Sequence, residues 1–113
     1  EYRATLELKP DWDAVLNNLA WVLATHPNDG LRDGTNAVRF AQRACDLTGH
    51  TNLWYVHTLA AAWAESGNFA NAITNAQIAL RLAKLASSAD ERKAQDRLHL
   101  YQSGQPLRDS PAH

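Results

Sequence analysis

The sequence predicts an all-α chain built from repeated antiparallel helical hairpins. Two observations carry that prediction. Apolar residues recur at helical spacing in stripes that a turn signal such as Glu65-Ser66-Gly67-Asn68 interrupts. The same order of stripe, turn and stripe is then written twice, with alanines at matching places. Composition agrees: 113 residues suit one small domain, and 45% apolar residues supply a core. With 20% charged residues and a formal net charge of −1, the near-neutral balance argues against a nucleic-acid arm or a basic patch for membrane contact. Its single cysteine, Cys45, rules out an intrachain disulfide or a cysteine-based zinc cage.

The first stripe is Leu16, Leu19, Ala20 and Leu23. After the turn "THPNDGLRDGT" a second stripe follows, Ala37, Phe40, Ala41, Ala44 and Cys45. A third, Val56, Leu59, Ala60 and Trp63, ends at the Gly67 turn, where glycine suits a left-handed C-terminal position. The fourth, Ala72, Ile73, Ala76, Ala79, Leu80 and Ala83, is dominated by small residues that let a neighbouring helix approach closely. Amphipathic helices joined by so short a turn pack antiparallel. Ala37, Ala41 and Ala44 return 35 positions later as Ala72, Ala76 and Ala79, whereas Leu19 and Leu23 return 40 positions later as Leu59 and Trp63. The difference places a five-residue insertion in the first hairpin's turn.

A fifth helix is expected over about 89–102. Ser88 and Glu91 form a capping-box pattern before it, and Gly104 and Pro106 stop it. Ala94, Leu98 and Tyr101 make its one apolar stripe, while Glu91, Arg92, Lys93, Asp96 and Arg97 cover the rest. A helix of that kind suits the end of a stacked array, whose last face meets water. The final residues of the chain are expected to be loose.

A repeat period of about 34 residues with small residues at helix-crossing sites resembles the tetratricopeptide repeat. Leu16, Leu19, Ala20 and Leu23 match its first-helix positions in one copy, and Val56, Leu59, Ala60 and Trp63 in the other. Gly67 and Phe69 match the glycine and aromatic of its inter-helix turn, but Gly49 and Lys84 stand where its closing proline is usual. The resemblance covers roughly residues 2–86 and implies a right-handed α-solenoid. It would hold the end of a preceding repeat at 1–10, repeats at 11–50 (with the insertion at 26–35) and 51–86, a capping helix at 87–103 and a tail at 104–113. In that register "TLELKP" resembles a repeat's last turn with its closing proline. The chain is therefore expected to begin within a repeat, as part of a longer bacterial protein. Tyr2, Leu6 and Leu8 would then expose apolar surface open to self-association.

Chemistry-bearing patterns are sparse. Five histidines include no i, i+4 pair and no H-E-x-x-H, so no metal is expected. Asn28, Asp29 and Asp33 lack the acidic alternation and distal glutamate of a calcium loop; turn-shaping by Pro27, Gly30 and Gly34, with Asp33 or Thr35 as helix cap, accounts for them. Cys45 reads as a buried space-filler, and no serine sits in a nucleophile elbow or beside a phosphate cradle. No catalytic residue and no cofactor are expected. One cysteine and no apolar run of membrane-span length leave the cellular compartment open.

If the hairpins stack, the stripe beside the core stripe of each first helix faces a concave groove. On one helix this is Ala14, Asn17, Asn18, Trp21 and Thr25; on the other it is Trp54, His57, Thr58, Ala61 and Glu65. Asn17, Asn18 and Thr58 suit hydrogen bonds to an extended peptide, and Trp21 and Trp54 offer stiff apolar area of the kind found at binding hot spots. Each tryptophan fits equally well between adjacent helices. Charge on His57 would make binding pH-sensitive. The resemblance offers one further comparison, with repeats that clamp a peptide's carboxylates through Lys and Asn. Asn18 matches an Asn of that clamp, but Asn17 and His57 occupy its Lys positions, so a carboxylate clamp is not expected and the groove reads as polar-aromatic. The reading is a non-catalytic module binding a peptide or protein segment. Alternatives are a structural terminator that self-associates, or an accessory domain of an enzyme encoded elsewhere in the protein.

Overall fold

The computed structural model describes residues 12–108. The expected preceding-repeat segment 1–10, with Tyr2, Leu6 and Leu8, and the tail beyond 108 lie outside the described residues. Within them the chain is all-helical: α1 (Trp12–Thr25), a 3-10 turn (Asp29–Leu31), α2 (Gly34–Leu47), α3 (Leu53–Glu65), α4 (Phe69–Lys84) and α5 (Ser88–Gln102). Each helix packs on the next along the chain, and α1 also lies against α3. The result is two hairpins, α1–α2 and α3–α4, followed by α5 on the flank of α4. No helix among the described residues is long and apolar enough to cross a membrane.

The helix starts follow from side chains that satisfy orphan backbone N–H groups. Asp33 accepts from Asn36 N, Asn68 accepts from Asn71 N, and Asn52 accepts from both Trp54 N and Tyr55 N. For α5 the cap is Ser87, which accepts from Asp90 N, and not Ser88. Two adjacent serines present the same hydroxyl, and the first is the one with the extended backbone an N-cap needs. Gly67 takes the left-handed conformation at the end of α3 (φ 89°).

The alanine recurrence is the packing rule. Ala37, Ala41, Ala44, Ala72, Ala76 and Ala79 are all buried, and side chains this small let the helices pack closely at these positions. One apolar cluster joins Ala20 and Ala24 of α1, Ala37, Ala41 and Cys45 of α2 and Val56 and Leu59 of α3. A second joins Ala60 and Ala64 of α3, Ala72 and Ala76 of α4 and Leu98 and Tyr101 of α5. Trp63 packs against both.

One expectation requires correction. Leu19, expected in the core, is exposed at 38%. Its counterpart Leu59 is buried with residues of the hairpin before it, whereas no described hairpin lies before α1. Beyond α5 the chain is engaged as far as Arg108, and the final residues, expected to be loose, lie outside the described residues. Leu107 packs against both apolar clusters, and Arg108 Nη1 lies 2.8 Å from Glu65 Oε1.

The inserted loop is tied down as well. Arg32 donates to the carbonyl of His26, pairs with Asp29, and places Nε 3.3 Å from Glu65 Oε2. Gly34 lets this loop touch the other turn, since a Cβ there would stand 2.8 Å from Ser66 N.

Candidate functional site

The side chains of α1 and α3 beside the core stripe converge on one cavity of about 220 Å³. Asn17, Asn18 and Trp21 come from α1, and Trp54, His57 and Thr58 from α3. Periodicity explains the convergence: these positions sit one step round the helix from Leu16, Ala20, Val56 and Ala60, which are buried. Six of the eight residues expected in the groove thus share one hollow.

The other two are elsewhere. Thr25 is completely buried and donates its hydroxyl to the Trp21 carbonyl at 2.7 Å. Glu65 is held by Arg32 on one side and Arg108 on the other. Each closes its helix, Thr25 bonded back onto its own preceding turn and Glu65 held by segments distant in sequence. Ala61 is buried too.

The expected groove contained no cation, and the structure corrects that reading. Lys93 and Arg97 of α5 complete the cavity wall. Lys93 Nζ lies 5.5 Å from the Trp54 ring centroid, and Arg97 Cζ lies 5.3 Å from that of Trp21. Both are cation–π distances, worth about 0.5–1 kcal/mol each at exposed sites. The two cations are i, i+4 neighbours and so share a face of α5. In the sequence they look like part of the water-facing cover of that helix. The packing of α5 against α4 leaves their face turned towards α1 and α3.

Burial decides the character of the floor. His57 is only 3% exposed, and its ring lies 6.0 Å from that of Trp54. Removal from water, reinforced by the Arg97 and Lys93 charges, lowers its pKa to about 4. The imidazole is therefore neutral at physiological pH, contrary to the expectation of a charge switch there. Its Nε2 and the Oδ1 of Asn17 make no hydrogen bond within the described residues. Thr58 is also buried, and its hydroxyl donates to the Trp54 carbonyl at 3.0 Å, which leaves it an acceptor. Trp54 is half exposed, and Trp21 both lines the cavity and packs against the first cluster. The tryptophan alternatives thus resolve into groove-lining for Trp54 and both roles for Trp21.

Other candidate chemistry is accounted for by structure. The Cys45 thiol is buried and donates to the Tyr55 carbonyl at 3.3 Å; burial pushes its pKa up to about 12. Asn28, Asp29 and Asp33 shape and cap the inserted loop. Among the described residues no cluster of three His, Cys, Asp or Glu side chains stands ready for a metal.

Fold and site together define an all-helical hairpin domain with a tryptophan-walled, cation-rimmed groove. Compared with family models, curated proteins and solved structures, the chain finds no match.

Proposed function

We propose that this chain is a non-catalytic recognition module of tetratricopeptide-like architecture, which binds a segment of a peptide or protein partner in the groove between α1, α3 and α5. The observation that carries the reading is the convergence of Trp21, Trp54, Lys93 and Arg97 on one cavity. Below them lie two buried polar atoms, His57 Nε2 and Asn17 Oδ1, that are not hydrogen-bonded within the described residues. Buried polar atoms without partners are disfavoured in a core but suit a site completed by a ligand. A segment offering an acidic group beside a planar or apolar one fits: the acid meets the positive wall at Lys93 and Arg97, and the flat group lies along a tryptophan. The alanine register of the two hairpins supports the repeat architecture, although the fold needs nothing beyond helical hairpins.

The test is selection from a displayed random-peptide library, with Trp54→Ala as counter-screen. The reading expects enrichment of sequences with an acidic residue next to an apolar or aromatic one, lost on the variant. No enrichment, or enrichment that the variant retains, refutes it.

A second reading, self-association or docking into a longer array, is favoured by one observation. Val15, Leu19 and Val22 form an i, i+4, i+7 face of α1 exposed at 46%, 38% and 44%. Sedimentation of the wild type and a Val15→Glu/Val22→Glu variant separates the readings, because only the array reading ties this face to association.

A further inference from the structure

The groove does not end at the cavity. Glu65 closes α3 at its far end, with both carboxylate oxygens engaged: Oε2 with Arg32 at 3.3 Å, Oε1 with Arg108 at 2.8 Å. The Arg32 contact comes from the inserted loop, where Arg32 is also fixed on the His26 carbonyl and Asp29. Glu65 is therefore positioned by the body of the domain, independently of the tail. The tail is the second claimant.

How the tail arrives is set by its own sequence. Gly104 ends α5 in the left-handed conformation (φ 76°), and Gln105 N donates to Leu100 O at 3.2 Å, which reverses the chain. Pro106 then favours extended backbone. Leu107 comes to lie beside Lys93 and Arg97, the same two residues that wall the cavity, and packs against both apolar clusters. Leu107 forms part of the wall of an open hollow of about 410 Å³ that runs along α5, so room for a longer segment remains beside it. One residue further, Arg108 reaches Glu65.

We infer that the α3–α5 end of the groove is a second recognition subsite, for an apolar residue followed by a basic one, and that the chain fills it in cis with its own Leu107 and Arg108. The groove is thus bipolar, cationic at Lys93 and Arg97 and anionic at Glu65. A partner segment that spans both ends carries an acidic group for the cavity and an apolar-basic pair for the Glu65 end, and it must displace residues 105–108 to do so. The tail acts as an intramolecular competitor. This partner role rests on the groove being a recognition site; the cis docking itself does not.

The experiment uses the full chain and a blocked, fluorescein-labelled peptide of residues 103–108. A Leu107→Ser/Arg108→Ala chain has an empty subsite and is expected to bind this peptide saturably. A short flexible link gives the wild-type tail an effective concentration of about millimolar, so the wild type should bind the peptide about tenfold more weakly if the free affinity is near 0.1 mM. A peptide carrying Leu107→Ser should bind neither chain. Circular dichroism verifies the fold, and Arg108→Ala alone provides a milder opening should the double variant be destabilised. Equal binding to wild type and variant, or binding to neither, overturns the inference. Peptide binding in trans together with a failed library selection leaves the subsite standing as an intramolecular clasp and removes the partner reading.

Discussion

Lowering the pH from 7 to 4.5 loads a specific penalty onto His57. The ring titrates near 4 in the folded chain against 6.5 when unfolded, through burial first and the Arg97 and Lys93 charges second, with Asp90 acting weakly in the opposite sense. As the pH falls below 6.5 the unfolded chain therefore takes the proton while the folded chain does not. Stability is full above the unfolded pKa and is lost progressively as the pH falls towards 4. At pH 4.5 the difference in proton uptake amounts to about 2.5 kcal/mol by linkage, against a few tenths or less at pH 7. That is a large share of the roughly 5–15 kcal/mol that stabilises a small domain. The assay is urea unfolding of the wild type and His57→Gln at both pH values. The glutamine side chain fills similar space without titrating, so the substitution should remove most of that acid loss. Contributions of other groups, including the exposed Asp46–His50 pair, stay common to both chains. Equal acid destabilisation of the two proteins would refute the burial of a neutral His57 in the groove floor.

Other substitutions test the remaining supports. Gly34→Ala forces a Cβ against the Ser66 backbone, where no flexible side chain can yield, and should destabilise by about 1–3 kcal/mol in thermal or urea unfolding. Asn52→Ala removes the acceptor for Trp54 N and Tyr55 N and should weaken the fold by about 1 kcal/mol, read by the same method. Cys45 should resist thiol reagents in the native protein, with a labelling rate that rises with urea in step with global unfolding, since its thiol is buried and pushed up to about 12.

What can be read from the residues divides by range. The alanine crossings are legible because a helix reports its buried face through local spacing, and Ala37, Ala41 and Ala44 return as Ala72, Ala76 and Ala79, all buried. The cavity lining from α1 and α3 is legible for the same reason, through Asn17, Trp21, Trp54 and Thr58. Leu19 is not, because the burial of a striped residue depends on which helix stands opposite. Lys93 and Arg97 escape the same reasoning, since a charged pair on a sparse amphipathic helix looks like solvent cover until the helix angle is known. Glu65 lies beyond the cavity, held by Arg32, 33 residues before it, and by Arg108 in the tail, partners that no local pattern reveals. His57 falls where its spacing predicts but carries no charge, because desolvation is a property of the assembled site.

On the proposed function, Trp54 and the α5 cations form one binding site. The most direct measurement is calorimetric titration of the best-enriched displayed sequence into the wild type, Trp54→Ala and Arg97→Ala, with circular dichroism spectra matched. Saturable binding to the wild type is expected, weakened at least about tenfold by each substitution, which corresponds to about 1.4 kcal/mol. Affinity unchanged in both variants would contradict it.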